Sequence, residues 1–269
     1  MSFFSQFPKI EYDYTGQGSY LKVADLFRSA RPQGSFIDNP ALYKKYSVLN
    51  GDRPDVVSYK LYGTSQYYWT FFVINDFLHD GIAAWPMSQE DLSEYLANNY
   101  SGQVIETRPT VVRNSDGLVS DYRDSLSGRF NIGETLNAST SSASGTLVRK
   151  DADLSQLVIR DITGGTFKGD YLSQVTEFIT GATSGDQVGS YQVYDYAEAP
   201  AWWYKIGDKT QAPVTIDTVI PDGEPRHTCE YVSNRQSIVD ENDRKSQIRV
   251  LDPKYVEQFA EEFEAVING

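Results

Sequence analysis

The stretch YSVLNGDRPDVVSYKLYGTSQYYWTFFVINDFLHDGIAAW, Tyr46 to Trp85, reads as a small strand, helix, helix, strand module. Tyr46 and Val48 alternate as a short strand and Gly51 turns the chain. Asp52 is placed to cap a helix whose first turn carries Pro54, where a missing N–H costs nothing. Val56, Val57 and Leu61 share one face of that helix. Gly63 stops it, Ser65 is placed to cap the next, and Trp69, Phe72 and Val73 at i, i+3, i+4 make an apolar stripe that Asn75 ends.

Outward from this module the pattern changes on both sides. Residues up to about Asn39 read as an extended arm with one short helix, Lys22 to Ser29. Ser88 with Asp91 three residues later is a capping-box pattern that starts a helix running to about Asn98. Beyond Tyr100, short β-prone runs alternate with Gly, Ser and Asp. Val104-Ile105, Val111-Val112 and Leu118-Val119 are expected strands, and Asn114-Ser115-Asp116-Gly117 is an expected hairpin turn. Phe130-x-x-Gly133-Glu134-x-Leu136 followed by Ser144-Gly145 is echoed by Phe167-x-Gly169-Asp170-x-Leu172 followed by Ser184-Gly185, which suggests a duplicated barrel or sandwich, or chance. Aromatics return at Trp202-Trp203-Tyr204. Near the end, Val256, Phe259, Ala260, Phe263, Val266 and Ile267 form the apolar stripe of an amphipathic helix, to be packed on its own domain or on a neighbouring subunit.

The expected class is α+β, in four segments: an N-terminal arm over residues 1–42, the module and its following helix over 43–100, a β-rich region over 101–198, and a C-terminal segment with a strand and the amphipathic helix over 199–269. A chain of 269 residues with 40% hydrophobic residues buries a real core. A net charge of −13 argues against a nucleic-acid partner, because a phosphate backbone needs a basic face. No window approaches the roughly 18 apolar residues of a membrane span, and the start lacks a basic, then apolar leader. Cys229 is the single cysteine, so an internal disulfide is excluded and a reducing compartment fits.

Catalytic machinery is not visible. His79 and His227 are distant in sequence, His227-x-Cys229 has no second ligand pair beside it, and a tetrahedral zinc site needs about four such ligands. Ser139 to Ser144 is a low-complexity run without a nucleophile elbow. Asp151-x-Asp153 lacks the rest of a calcium loop, and a carboxylate pair such as Asp222 with Glu224 is expected by chance among 37 acidic residues. The expectation is no catalytic residue, no metal and no cofactor.

Tyr46-x-Val48-x-x-Gly51-Asp52 with Asn75 closing the second helix resembles the LysM module. The Gly51-Asp52-Arg53-Pro54 run, Leu61-Tyr62-Gly63, Tyr68-Trp69 and Asn75-Asp76 together resemble a particular LysM-like family, the baseplate wedge subunit fifty-three of T-even-like contractile-tailed phages. Phe7-Pro8-x-Ile10-x-Tyr12 followed by Val23-x-Asp25-Leu26-Phe27-Arg28 is similar to that family's opening, and Gln247-Ile248-Arg249-Val250-Leu251-Asp252 to its ending. The resemblance covers roughly Phe7–Tyr100 and Ile238–Ile267, and it makes the β-rich region an insertion in a LysM-like fold.

What the resemblance implies is a structural subunit of the virion, made in the host cytoplasm and placed in the tail baseplate. There it clamps adjacent inner wedges into a sixfold ring around the hub. Partners would be other inner wedge subunits, with the central hub as a further candidate. The residues expected at partner contacts are Phe7, Tyr12, Phe27 and Arg28 of the arm, with Phe3 and Phe4 before them. Gly51, Asp52, Arg53, Pro54, Trp69 and Asn75 of the module and Phe259 and Phe263 of the terminal helix complete the set. Arg53 either reaches a partner carboxylate or pairs locally with Asp55. LysM modules hold N-acetylglucosamine polymers in a groove that would here run between Gly51–Pro54 and Ile74–Phe77. Pro54 removes one donor there, which disfavours peptidoglycan. The alternatives are a LysM-type peptidoglycan-binding or wall-degrading tail component, and a carbohydrate-binding insert using Tyr191, Tyr194 and Tyr196.

Overall fold

The strand that opens the module, β3 (Tyr43–Ser47), finds its partner at the far end of the chain. It pairs antiparallel with β15 (Gln247–Leu251) in the register Tyr43↔Leu251 to Ser47↔Gln247. The computed structural model describes residues 7–25, 39–107, 110–113, 119–123, 126–170, 173–207, 209 and 229–268. Phe3, Phe4, Phe27, Arg28, the Asn114–Gly117 turn, Leu118, Leu172, Asp222, Glu224 and His227 lie outside them. The class is α+β. The chain divides into two compact units, Met1–Leu92 with Asp240–Gly269, and Ser93–Val239.

In the first unit, α1 (Pro54–Tyr62) and α2 (Thr70–Ile74) pack on the β3–β15 pair. Pro54 sits at the first helical position and Gly63, at φ 72°, closes α1, as its freedom at positive φ allows. Two expected caps differ. Arg53, not Asp52, flanks α1 and makes no side-chain cap, because the Asp52 carboxylate accepts from Lys60 Nζ at 2.6 and 2.8 Å. Thr64, not Ser65, caps the turn at Ser65–Tyr67 by accepting from the Gln66 N–H. On α1 only Val57 of the three expected apolar residues is fully buried, since Val56 is its i−1 neighbour and points away.

A strand ending at Trp85 does not form. Short 3₁₀ turns at Asp76–Leu78 and Gly81–Ala84 occupy that stretch, and the position beside β3 goes to the β-branched run Gln247–Leu251. Asn75 explains how the distant strand is held. Its amide donates to Phe71 O at 2.8 Å and Arg249 O at 2.9 Å, and its carbonyl accepts from the Arg249 N–H at 2.9 Å. A buried side chain thus imitates a strand neighbour for β15. The terminal helix, Val256–Asn268, buries Val256, Phe259, Ala260, Phe263 and Ile267 against Trp69 and Leu251, so its stripe is satisfied within its own unit.

The N-terminal arm is a hairpin of β1 (Lys9–Asp13) and β2 (Tyr20–Ala24). Lys22 to Ala24 are therefore strand rather than helix. Three residues of that segment alternate with the pleat, and the turn before them is strongly made. The Asp13 carboxylate accepts from Thr15 N–H, Thr15 Oγ1 and the Gly18 N–H, which holds it below the ordinary carboxylate range.

The helix α3 (Gln89–Asn99) starts as the capping box requires, with the Asp91 N–H donating to Ser88 Oγ. In the second unit, seven antiparallel strands follow the order β11-β10-β7-β8-β9-β4-β12 and curl into a half-barrel, one sheet rather than the two of a sandwich. They are β4 (Gln103–Glu106), β7 (Thr135–Ala138), β8 (Ser144–Asp151), β9 (Gln156–Thr163), β10 (Phe178–Gly181), β11 (Gln187–Gly189) and β12 (Gln192–Asp195). Ile105, Leu126, Leu136, Leu147, Ile159 and Ile179 fill the inside.

An internal duplication is present, in a register different from the expected one. Adding 43 to each number carries β7–β8 onto β10–β11: the pair Thr135↔Thr146 becomes Phe178↔Gly189, and Asn137↔Ser144 becomes Thr180↔Gln187. The same shift carries Glu134-Thr-Leu onto Glu177-Phe-Ile and Thr140-Ser141 onto Thr183-Ser184. The hairpins meet through β7 and β10 about a local two-fold: Ser139 N–H donates to Phe178 O and Ala182 N–H to Thr135 O, both at 2.9 Å. The Phe and Gly landmarks of the expected repeat belong to the loops before the hairpins, so they drift, whereas the Glu and Thr-Ser positions are fixed by their bonding.

Candidate docking site

Two surfaces of the first unit leave apolar side chains exposed. The first is one face of the β1–β2 hairpin. Residues two apart on a strand share a face, and the register Ile10↔Val23, Tyr12↔Leu21 puts these four apolar side chains on the same one. Tyr12 and Leu21 are each 52% exposed and Val23 38%. The opposite face carries the charged Lys9, Glu11, Asp13 and Lys22 together with Tyr20 and Ala24. Phe7, just before β1, packs on the core cluster that contains Trp69 and Phe259 and so roots the hairpin.

The second is a cleft of about 530 Å³ between the start of α1 and the loop Ile82–Met87. Its lining includes four rings, Pro54, Tyr68, Trp85 and Pro86, and Ile82, which has 74% of its surface exposed. Arg53, Asp55 and Asp91 form the charged rim. Arg53 Nε lies 3.3 Å from Asp55 Oδ1, the local pairing rather than an outward reach. The walls are tied down. Trp85 Nε1 donates to Asp52 O at 2.8 Å, the Gln89 N–H to Asn50 Oδ1 at 2.7 Å, and Met87 exchanges two hydrogen bonds with the Asn242 amide at 2.8 and 3.1 Å. Phe71 and Phe72 hold the Trp85 ring from behind at 5.9 and 5.7 Å.

Of the residues expected at partner contacts, the structure gathers Arg53 and Pro54 at the cleft, with Gly51 and Asp52 in the turn behind it. Tyr12 lies on the hairpin face. Trp69, Phe259 and Phe263 are brought together too, but inside: the rings sit 6.1 and 5.0 Å apart from Trp69 and all three are buried. Asn75 is likewise buried. The second wall of the cleft is Ile82–Met87, not Ile74–Phe77, since Ile74 and Asn75 face β15. Sequence reading passed over that wall and over Ile10, Leu21 and Val23. The Trp85-Pro86 pair and the alternation of KIEYD with YLKVA were the available signals. Tyr191 and Tyr196 are buried and Tyr194 is half-buried against Tyr231. Among the described residues no group of three or more His, Cys, Asp or Glu is arranged to hold a metal, and no helix is long and apolar enough to cross a membrane.

The first unit thus carries an exposed amphipathic ribbon and a ring-lined cleft. Residues 2–117, from β1 to β5 (Thr110–Arg113), match the family described as base plate wedge protein 53. It is thus a structural protein of the phage virion, located in the tail baseplate. No curated protein matches the chain. Both docking surfaces fall within the matched residues, whereas β15 and the terminal helix fall outside them.

Proposed function

We propose that the chain clamps adjacent inner wedges into the baseplate ring as a non-enzymatic subunit, using the β1–β2 hairpin as an arm and the helix pair on β3–β15 as a LysM-like rigid anchor. The observation that carries this reading is the hairpin face of Ile10, Tyr12, Leu21 and Val23. A two-stranded ribbon is marginal alone in water, and one that leaves an apolar face uncovered gains most of its stability from a partner. The partner of an obligate assembly supplies that cover.

The test is retention of the purified chain by the other wedge proteins of its phage, with insoluble peptidoglycan as a parallel bait. Tyr12→Ser with Leu21→Ser, both on exposed positions, should abolish retention while leaving thermal unfolding of the remaining chain unchanged. Full retention of the double variant would overturn the arm reading. Retention on peptidoglycan alone would overturn the clamp.

A further inference from the structure

We propose that the cleft between the start of α1 and the Ile82–Met87 loop receives an extended, proline-containing segment with a basic side chain, supplied by another protein of the assembly. This rests on the clamp reading and gives one of its contacts a chemistry. The lining decides the conformation. The aromatic rings of Tyr68 and Trp85, beside the pyrrolidine rings of Pro54 and Pro86, suit a polyproline II segment, which has no internal hydrogen bonds to lose and is already ordered before docking. Two parts of the lining, the Trp85 indole and the Met87 backbone, are fixed by hydrogen bonds to parts of the same unit. A groove formed in advance loses little free energy to ordering on binding.

The rim decides the charge. Asp55 and Asp91 stand there with a single cation, Arg53, which is already beside Asp55. One carboxylate charge is left in excess, so the complementary ligand group is a cation. The Arg53 side chain is 79% exposed, and an exposed pair of this kind holds by only about 0–1 kcal/mol. A ligand guanidinium can therefore displace it from Asp55. An acidic ligand would meet both carboxylates instead.

The experiment titrates the full chain with a labelled (Pro-Pro-Arg)₃ peptide, its (Pro-Pro-Glu)₃ counterpart and a soluble N-acetylglucosamine hexamer, followed by anisotropy. The arginine peptide should bind at least about tenfold more tightly than the glutamate peptide. Ala83→Trp, on an exposed rim position, should block it, and Asp55→Asn with Asp91→Asn should weaken it about tenfold, whereas Arg53→Ala should leave it unchanged or tighter. The two Asn changes keep the test open if the Trp variant does not fold. Equal binding of the two peptides, undiminished binding by the folded Trp variant, no arginine-peptide binding at about 1 mM, or binding of the glycan alone would each overturn the proposal. A chain that is held by wedge proteins but ignores the arginine peptide sinks this inference and leaves the clamp standing.

Discussion

Glu134 and Glu177 each close the turn of the other's hairpin. Glu134 accepts from the Thr183 and Ser184 N–H groups at 3.1 and 2.9 Å and from Ser184 Oγ at 2.9 Å, while Glu177 accepts from Thr140 Oγ1, the Ser141 N–H and Ser141 Oγ at 2.8, 3.0 and 3.0 Å. Each also takes one N–H from its own side, Asn131 for Glu134 and Lys168 for Glu177, both at 2.6 Å. Two buried carboxylates thus do for a pair of loops what backbone pairing does for β7 and β10 between them.

Replacing either carboxylate with an amide removes charge-assisted bonds and turns one acceptor into a donor facing donors. Glu134→Gln and Glu177→Gln should each destabilise the second unit by about 2–3 kcal/mol. Urea unfolding followed by tryptophan fluorescence checks this, and the two changes should cost similar amounts because their surroundings are related by the 43-residue shift. A large effect of one and none of the other would refute the equivalence.

The same groups set a pH dependence. Burial alone would raise both carboxyls, but the hydrogen bonds from Ser184, Asn131 and Thr183 to one, and from Lys168, Thr140 and Ser141 to the other, outweigh it and hold both below 4.5. The unfolded chain then binds protons before the folded one does as the pH falls. The stability these groups confer is full at neutral pH, begins to fall near 4.5 and is gone below the folded values. Unfolding measured from pH 7 to pH 3 should show this loss, and the double Gln variant should show a flatter profile.

Gly181 has room for no side chain, since a Cβ there would run into Ser184 Oγ and the Glu134 carboxylate. Its counterpart in the first hairpin is Ala138. Gly181→Ala should therefore mimic Glu134→Gln in the same unfolding assay. Gly189→Ala, with open space around it, should be close to neutral. If both glycine variants behave alike, the Glu134 lock is not what Gly181 accommodates.

Much of the first unit was legible from local chemistry. Pro54 and Gly63 bracket α1, Ser88 with Asp91 opens α3, and the spacing of Val256, Phe259 and Phe263 marks the last helix, because each depends on neighbours within one or two turns. What was not legible depends on distance. Nothing near Trp85 reveals that the strand beside β3 comes from Gln247–Leu251, and the fate of Asn75 is visible only once Arg249 lies against it. The cleft's second wall and the inward turn of Trp69 are likewise tertiary outcomes. The hairpin repeat was perceived but misaligned, since conspicuous Phe and Gly residues drew the eye from the Glu and Thr-Ser positions that bond.

Asn75 gives the sharpest test of the long-range pairing. Asn75→Ala leaves the Arg249 N–H and carbonyl without their part-buried partner, and should cost about 1–3 kcal/mol. Asn75→Asp should be worse near neutral pH, since a carboxylate would face the Phe71 and Arg249 carbonyls. Trp69→Ala should cost about 3–5 kcal/mol by opening a cavity beside Phe259 and Phe263. Because of that cost, loss of partner retention in Trp69→Ala would report unfolding, and the exposed hairpin positions are the sound place to probe docking.

The turn of the arm separates stability from assembly. The Asp13 carboxylate accepts its hydrogen bonds within Asp13–Gly18, and Asp13 belongs to none of the core clusters. Asp13→Ala should leave the cooperative unfolding of the chain where it is, while amide exchange across Lys9–Asp13 and Tyr20–Ala24 speeds up as the hairpin opens more often. Wedge-protein retention should weaken in step with that opening, because a frayed ribbon no longer presents Ile10, Tyr12, Leu21 and Val23 on one face. Faster exchange with undiminished retention would mean that the partner grips the strands singly, and that the amphipathic face is not the contact.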